Sequence, residues 1–392
     1  MPLPVAVTDD IAAQRWKDLW EPSGTIRLLN HGSFGRPFRI VRELQNRLEI
    51  EIDADPAEHF RETHEQVIRS AADEVARSLG VSNDKTVAFR HNVSTAIIDV
   101  VGSLAGSSDV VLTTNLGYGG IEIGSRHLGD KVGFRLVTLG FEKLDDVTLF
   151  GERVLESVRE HLPAVVVLDE ITSDTALLLP VNEMAGAIRE ISPMTKVIVD
   201  GAHSGMLSNP CIDTSDVWVT NLHKWPCAAR GAGVIVAGAG AEIRPLQGSW
   251  TGDETFPGSF TWTGTDDRTA FLTAPLALRV LDSMRTHGLD THINEVLDKT
   301  CTTLSAEWDV APDARPETMR APWMRLVRLP VPGPRTYDWA ASVMTAARRS
   351  LDLDVAVTFF GEDAYVRLSA HGYNGLADYE RVAELPALLT RD

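Results

Sequence analysis

The stretch Lys196-Val-Ile-Val-Asp200-Gly-Ala-His203-Ser-Gly205, with Val217-Trp-Val-Thr220-Asn-Leu-His223-Lys224-Trp225 close behind it, decides how this chain folds. Each half opens on a short apolar run and closes on polar residues. Unbroken Val/Ile runs of this kind suit strands buried on both faces of a parallel sheet. In open α/β sheets ligands bind beyond the carboxyl ends of such strands. Two neighbouring strand ends would therefore present Asp200, His203, His223 and Lys224 to one crevice.

Working outward, similar runs at Val110–Thr113, Ala164–Asp169 and Gly233–Ala237 alternate with helical stretches such as Asn182–Ile191. That alternation predicts an α/β, doubly wound, mostly parallel sheet with helices on both faces. Upstream, helical spacing covers Arg39–Asp53 and about Glu62–Leu79, where Gly80 stops the second helix. His64 and Glu65 on that helix read as part of a solvated face. After Ala274 the order becomes helix (from Pro275 past Arg285), strand Met324–Leu329, helix Tyr337–Leu351, strands Asp354–Phe359 and Tyr365–Ser369, and a last helix. The expected organisation is an N-terminal segment (1–25) packing on the small domain, a large domain (26–274) and a smaller C-terminal α+β domain (275–392).

The chain has 392 residues, 44% hydrophobic and 23% charged, with 37 Lys plus Arg against 55 Asp plus Glu. Such a balance excludes a disordered tail or a collagen-like fibre. A net charge of −18 repels polyanions, so no nucleic-acid partner is expected. The three cysteines, Cys211, Cys227 and Cys301, show no C-x-x-C spacing, which supports neither a disulfide framework nor a zinc site. Met1–Asp10 lacks the basic and apolar regions of a signal peptide, and no uncharged apolar run approaches ~18 residues. A cytoplasmic protein with no membrane partner is the expectation, and the sequon Asn92-Val93-Ser94 reads as a chance match. No Walker A sequence, G-x-S-x-G elbow or H-E-x-x-H occurs, and Gly238-Ala239-Gly240 lacks the rest of a dinucleotide fingerprint. No resident metal is expected.

The groups at the two strand ends match the needs of pyridoxal 5'-phosphate (PLP). A lysine amine bonds the cofactor, and a buried carboxylate keeps the ring nitrogen protonated so that electrons released at a substrate Cα can be stored. Lys224 and Asp200 suit these two roles. Cys227, three residues on, reads as structural because nothing basic in the sequence is placed to activate it.

The string Asn221-Leu-His-Lys-Trp-Pro-Cys-Ala-Ala-Arg-Gly-Ala-Gly233 resembles the lysine segment of class V aminotransferase-fold enzymes, in particular the isopenicillin N epimerase-like branch. Leu29-Asn-His-Gly-Ser-Phe-Gly35, Asn92-Val-Ser-Thr95, Thr113-Thr-Asn-Leu-Gly-Tyr118-Gly, Thr172-Ser-Asp-Thr-Ala176, Trp262-Thr-Gly-Thr265 and Arg367-Leu-Ser-Ala-His-Gly-Tyr-Asn374 extend the match in order along the chain. The resemblance implies the PLP-dependent transferase fold type I, PLP as cofactor, and a homodimer with shared active sites. It implies Ser94, Thr95 and His223 at the cofactor phosphate, with Thr265 reaching the phosphate of the neighbouring subunit. Tyr118 would cover the ring, Thr172 would join the cofactor contacts and His203 would sit near the phenolic oxygen. Lys224, Asp200 and His203 form the implied catalytic set, while His31, Ser33 and Arg367 would bind the amino-acid substrate, the arginine through its α-carboxylate.

The chain also departs from that branch. Asp169-Glu170 stands where Asp-His is common, Asp174 replaces Asn or Pro, Ala229-Arg230 replaces Pro-Lys, and Leu116-Gly117 replaces polar residues. These changes point to a different substrate or reaction. The favoured expectation is a β-lyase cleaving the C–S bond of a cysteine S-conjugate in specialised metabolism such as antibiotic biosynthesis. Amino-acid epimerisation, decarboxylation coupled to oxidative deamination, and a noncatalytic PLP-fold binding protein are the alternatives.

Overall fold

The apolar runs form strands, and their neighbours in space follow from burial on both faces. The computed structural model describes residues 16–207, 211–313, 315–331 and 336–389. Its strands are β1 (Arg27–Leu28), β2 (Lys85–Arg90), β3 (Val110–Thr114), β4 (Arg135–Leu139), β5 (Val165–Asp169), β6 (Lys196–Asp200), β7 (Val217–Asn221), β8 (Gly233–Gly238), β9 (Met324–Arg328), β10 (Leu353–Asp354), β11 (Ala356–Phe360) and β12 (Asp363–Ser369). Seven of them make one sheet in the order β2-β8-β7-β6-β5-β3-β4. Only β8 runs against its neighbours; the β7-β6-β5-β3-β4 pairings are all parallel.

Every residue of β5 and β7 is buried, because both faces are covered. Val165 and Val167 point to one side, against Ala96, Ile97 and Val100 of the helix Val93–Leu104. Val166 and Leu168 point to the other, into the larger core shared with the helices Phe150–His161, Val181–Ile191 and Thr269–Thr286. The two-residue side-chain period of a strand thus feeds two cores at once.

Sequence pattern alone did not mark β2 and β4. The edge strand β4 is only half covered, and β2 opens with half-buried polar residues, so neither shows an unbroken apolar run. A correction concerns His64: it is 4% exposed, with Nε2 3.3 Å from the Thr261 carbonyl and Nδ1 3.4 Å from His59 Nε2. A π-helical turn over His59–Thr63 leads into the helix His64–Leu79 and sets the imidazole inward, and burial pulls its pKa down to about 4. Gly80 ends that helix in the left-handed region, φ 70°, where a side chain would be strained.

A three-stranded antiparallel sheet, β11-β12-β9, lies in the C-terminal region, with the helices Leu289–Glu307 and Tyr337–Leu351 packed on it. The boundary placed at 274/275 falls inside the continuous helix Thr269–Thr286, which accommodates Pro275. Just beyond the 1–25 segment, strand β1 pairs in parallel with β10, Arg27 opposite Leu353, which ties the start of the 26–274 stretch to the C-terminal region. Residues 1–15 of the N-terminal segment lie outside the described residues. Among the described residues no helix is long and apolar enough to cross a membrane.

Leu168 has no exposed surface and sits in the middle of the sheet. Leu168→Ala is expected to cost about 2–5 kcal/mol, read as a lower denaturant midpoint at unchanged slope.

Candidate active site

Strand register builds the site. Parallel pairing sets Asp169 at the end of β5 beside Asp200 at the end of β6. Asp200 is 2% exposed and accepts from the Ala202 N–H at 2.8 Å, yet burial still raises its pKa to about 6. Asp169 is raised further, by burial and by the neighbouring Asp200, although the Tyr118 N–H donates to it. A side chain at position 117 would put its Cβ 2.6 Å from Asp169 Oδ2, so the glycine before Tyr118 is a packing requirement.

Strand β7 ends at Asn221, and the chain turns through Lys224 before returning as β8. Leu222 N–H donates to Ala232 O at 2.9 Å and Ala228 N–H to Leu222 O at 3.0 Å, closing the turn. Lys224 Nζ lies 2.9 Å from His203 Nε2. Desolvation lowers the lysine pKa to about 7; Arg367 pushes in the same direction, and Asp200 and Asp169 oppose it. His203 is pushed well below its usual range by burial, then by Lys224 and Arg367, so its ring is neutral.

Arg367, in β12, is 2% exposed and aims across the same crevice. It donates to Ser173 O at 2.6 Å, Asn30 Oδ1 at 2.9 Å and Ser33 Oγ at 2.6 Å, and Ser33 in turn donates to Asn30 Oδ1 at 2.7 Å. The guanidinium is thereby fixed in one plane before any ligand arrives.

The start of the helix Val93–Leu104 sits beside β7, because Asn221 Oδ1 accepts from the Val93 N–H at 3.0 Å. Asn92 caps this helix by accepting from Thr95 N–H at 2.9 Å, and the Thr95 hydroxyl returns to Asn92 O at the same distance. Of the two residues expected at a phosphate, Thr95 therefore already has internal partners, while Ser94 is half-buried in the first turn, where helix N-termini favour anions. His223 gives its Nδ1 proton to Ala232 O at 3.1 Å, and burial lowers its pKa to about 4.

The remaining sites named from sequence are more scattered. Tyr118 is 52% exposed, with its ring lying over Gly120. The Thr172 hydroxyl is wholly buried and bonded to Thr175 Oγ1 at 2.7 Å and Leu177 N at 2.8 Å, a hairpin-like turn that leaves it facing inward. Thr265 is exposed on a loop held by the contact of His91 Nε2 with Asp266 Oδ2 at 2.6 Å. His31, named for the substrate, is buried beneath the lysine turn with both ring nitrogens engaged. Asn30, Asn221 and Asp169 were not singled out from sequence. Asn30 and Asn221 stand inside motif strings and Asp169 closes an apolar run, but their partners Arg367, Val93 and Tyr118 are remote in the chain.

The donors fit PLP on the structure's own terms. His203 Nδ1 and Arg367 Nε are buried polar atoms without a partner, which a polar ligand in the crevice could serve. A buried carboxylate, a desolvated lysine, a helix start and a fixed guanidinium supply the ring-nitrogen, carbonyl, phosphate and carboxylate partners of a PLP–amino-acid pair.

Fold and site together define a fold type I, PLP-dependent α/β enzyme. The aminotransferase class-V family model matches residues 36–271, and the chain belongs to that family. Its cofactor is pyridoxal 5'-phosphate. Among curated relatives, "Putative L-cysteine desulfhydrase 2" of Oryza sativa subsp. japonica is 23% identical, over 93% of this chain and 84% of that protein. Among solved structures, the complex of the cystine C–S lyase C-DES with its reaction product cysteine persulfide superposes with a TM-score of 0.72 at 16% identity, covering 94% of this chain and 98% of that one. A C-DES mutant with glycine covalently linked to the PLP cofactor gives 0.69 at 16% identity, covering 94% and 97%.

In the cofactor-free protein, the neutral fraction of the Lys224 amine should rise through about pH 7, not near the ordinary 10.5. Acylation by an amine-selective reagent, mapped by mass spectrometry, should reach half its plateau near there. Half-labelling in the range of the exposed lysines would refute the electrostatic account.

Proposed function

We propose that the protein is a PLP-dependent lyase that cleaves the Cβ–S bond of L-cysteine or an S-substituted cysteine by β-elimination. With L-cysteine and water the balanced products are pyruvate, ammonia and hydrogen sulfide; a substituted substrate releases the thiol in place of sulfide. The names of the curated relatives support cysteine as substrate.

The observation that carries the reading is the absence of a sulfur acceptor. Passing sulfur to the protein needs an accessible thiolate. The chain's three cysteines offer none: Cys211 and Cys227 are buried, and Cys301 is half-buried on the helix Leu289–Glu307 with its pKa pushed up to about 12. Burial also raises the Cys211 and Cys227 thiols. On this reading sulfur leaves without passing through a cysteine of this chain.

The bound cofactor supplies an electron sink for the pair left at Cα. Arg367 holds the substrate carboxylate and so fixes the Cα–H direction. Lys224, desolvated enough to be neutral in half its copies near pH 7, is suited to take that proton and return one later. Asp200 keeps its charge for the ring nitrogen. His203, neutral and 2.9 Å from Lys224 Nζ, orients the amine without competing for its proton.

Incubation with L-cysteine and with S-alkyl cysteines in deuterated water should give pyruvate carrying deuterium, with sulfide or thiol in equal amount, and Lys224→Ala should abolish both. Recovery of substrate deuterated or inverted at Cα with its C–S bond intact would overturn the lyase reading in favour of epimerisation.

The active unit is proposed to be a homodimer that shares its sites through Thr265. Leu246 and Trp250, 53% and 94% exposed, flank the loop, and Gln247 Nε2 and Thr251 Oγ1 tie their segment to it at Thr263 O (2.8 Å) and Trp262 O (3.1 Å). Large exposed apolar side chains next to a candidate phosphate contact suit an interface between two copies. A Lys224→Ala chain mixed with a Thr265→Glu chain, each inactive alone, should regain activity, because one site of the hybrid then has both native groups. No recovery after demonstrated subunit exchange would sink the shared-site idea.

A further inference from the structure

Behind Lys224 lies a buried group that the reaction does not use: His31, Cys227 and His371, all under 4% exposed. One ligand atom from each lies within 4.8 Å of the others, a spacing a soft metal could exploit. The hydrogen bonds assign these rings another task. His31 Nε2 lies 3.1 Å from the carbonyl oxygen of Lys224, and His371 Nε2 lies 3.1 Å from that of Trp225. A carbonyl oxygen only accepts, so both Nε2 atoms carry protons. The Gly372 N–H donates to His371 Nδ1 at 2.9 Å, and the Tyr373 hydroxyl at 2.9 Å completes His31 Nδ1. Both imidazoles are thus neutral Nε2–H tautomers with every ring nitrogen engaged, and metal binding would break both carbonyl bonds.

We propose that His31 and His371 are positioning residues that clamp two successive carbonyls of the Lys224–Trp225 backbone and so aim the lysine amine at His203 and the cofactor. The clamp has a second arm. The Trp225 indole stacks on His31 at 5.5 Å and donates to the His203 carbonyl at 2.6 Å, so one tryptophan links the turn carrying the lysine to the loop carrying its imidazole partner. Gly35 seals the arrangement from below: at φ 61°, a side chain there would collide with the His223 carbonyl and come within 2.8 Å of Lys224 Cα.

The two histidines come from opposite ends of the chain. His31 opens the short helix His31–Phe34 and His371 follows β12, the strand that carries Arg367. The segment Leu29–Gly35 accordingly does two jobs: Asn30 and Ser33 hold Arg367, while His31 and Gly35 hold Lys224. The group that binds the carboxylate and the group that moves the proton are set by one stretch of backbone. Burial, which pushes both imidazole pKa values down, keeps the clamp neutral at ordinary pH.

The inference rests on Lys224 carrying the cofactor, not on which reaction follows, and its first readout needs no substrate. The pH midpoint of the holoenzyme's visible cofactor band, which reports the lysine's environment, is measured for wild type, His31→Ala, His371→Ala and His31→Gln. Both alanine variants should move the midpoint by about half a unit or more and lower kcat about tenfold with KM nearly unchanged, since an aimed amine is worth roughly one hydrogen bond in the transition state. His31→Gln, which can still donate to the Lys224 carbonyl, should recover part of both effects. Tyr373→Phe removes only the outer hydroxyl and should shift the midpoint in the same direction by less, which keeps the test available if an alanine variant fails to fold. A wild-type midpoint and kcat in the variants that fold, with only thermal stability reduced, would overturn the clamp. Shifted midpoints without sulfide release would instead fault the lyase reading and leave the clamp standing.

Discussion

One lysine amine has to be desolvated, largely neutral near pH 7 and still aimed, and the rest of the structure serves that constraint. Desolvation alone would overshoot, because a buried ammonium without a counter-charge loses its proton readily. Asp200 and Asp169 pull the Lys224 pKa back up while Arg367 pushes it down, and the balance settles near 7. The two carboxylates arrive from β6 and β5, and the guanidinium from β12. Sheet register in the large domain and docking of the C-terminal region therefore both enter the proton affinity of a single atom. A one-residue slip of β5 against β6 would swing Asp169 to the opposite face, and its share of that balance would vanish.

What could be read from the sequence divides along the same line. Strands β3, β5, β6, β7 and β8 were legible because burial on both faces writes an unbroken apolar run. The placement of Asp200 and Lys224 near neighbouring strand ends was legible because each closely follows such a run. Residues whose roles depend on what lies across the chain were not. His64 follows helical spacing that looks solvated, and contacts with Thr261 and Trp262, far along the chain, help bury it. His31 sits in a motif that names the substrate pocket, yet its ring turns away from the Arg367 side and under Lys224, a direction set by Tyr373 and by the lysine turn's own carbonyl. Thr172 shows the same limit on a smaller scale, because its hydroxyl closes a local turn with Thr175 and the Leu177 amide.

The acidic departures near the cleft are separated by their partners. Glu170 is 2% exposed and accepts from Ser204 Oγ, from Cys211 N at 3.1 Å and from Trp218 Nε1 at 3.1 Å, so its charge is spent on holding the loop that follows His203. A buried carboxylate with several donors is a structural tie, costly to break and silent toward a ligand. Leu116 is buried, Gly117 is demanded by Asp169, and Ala229 has no exposed surface. Arg230 is exposed and donates to Gly35 O at 3.2 Å, which braces the back of the lysine turn.

That leaves Asp174 as the changed residue whose charge reaches the substrate side. It is exposed, it favours the charged form of Arg367, and it adds to the upward pull on Asp169. A substrate α-carboxylate would meet a guanidinium already held by Asn30, Ser33 and Ser173, within the influence of the Asp174 charge. A single carboxylate still gains there, because the guanidinium is buried and the aspartate is solvated. A second carboxylate near Arg367 would be repelled by Asp174. If Arg367 holds the substrate carboxylate as proposed, the electrostatics of this corner favour an uncharged substrate side chain over an acidic one.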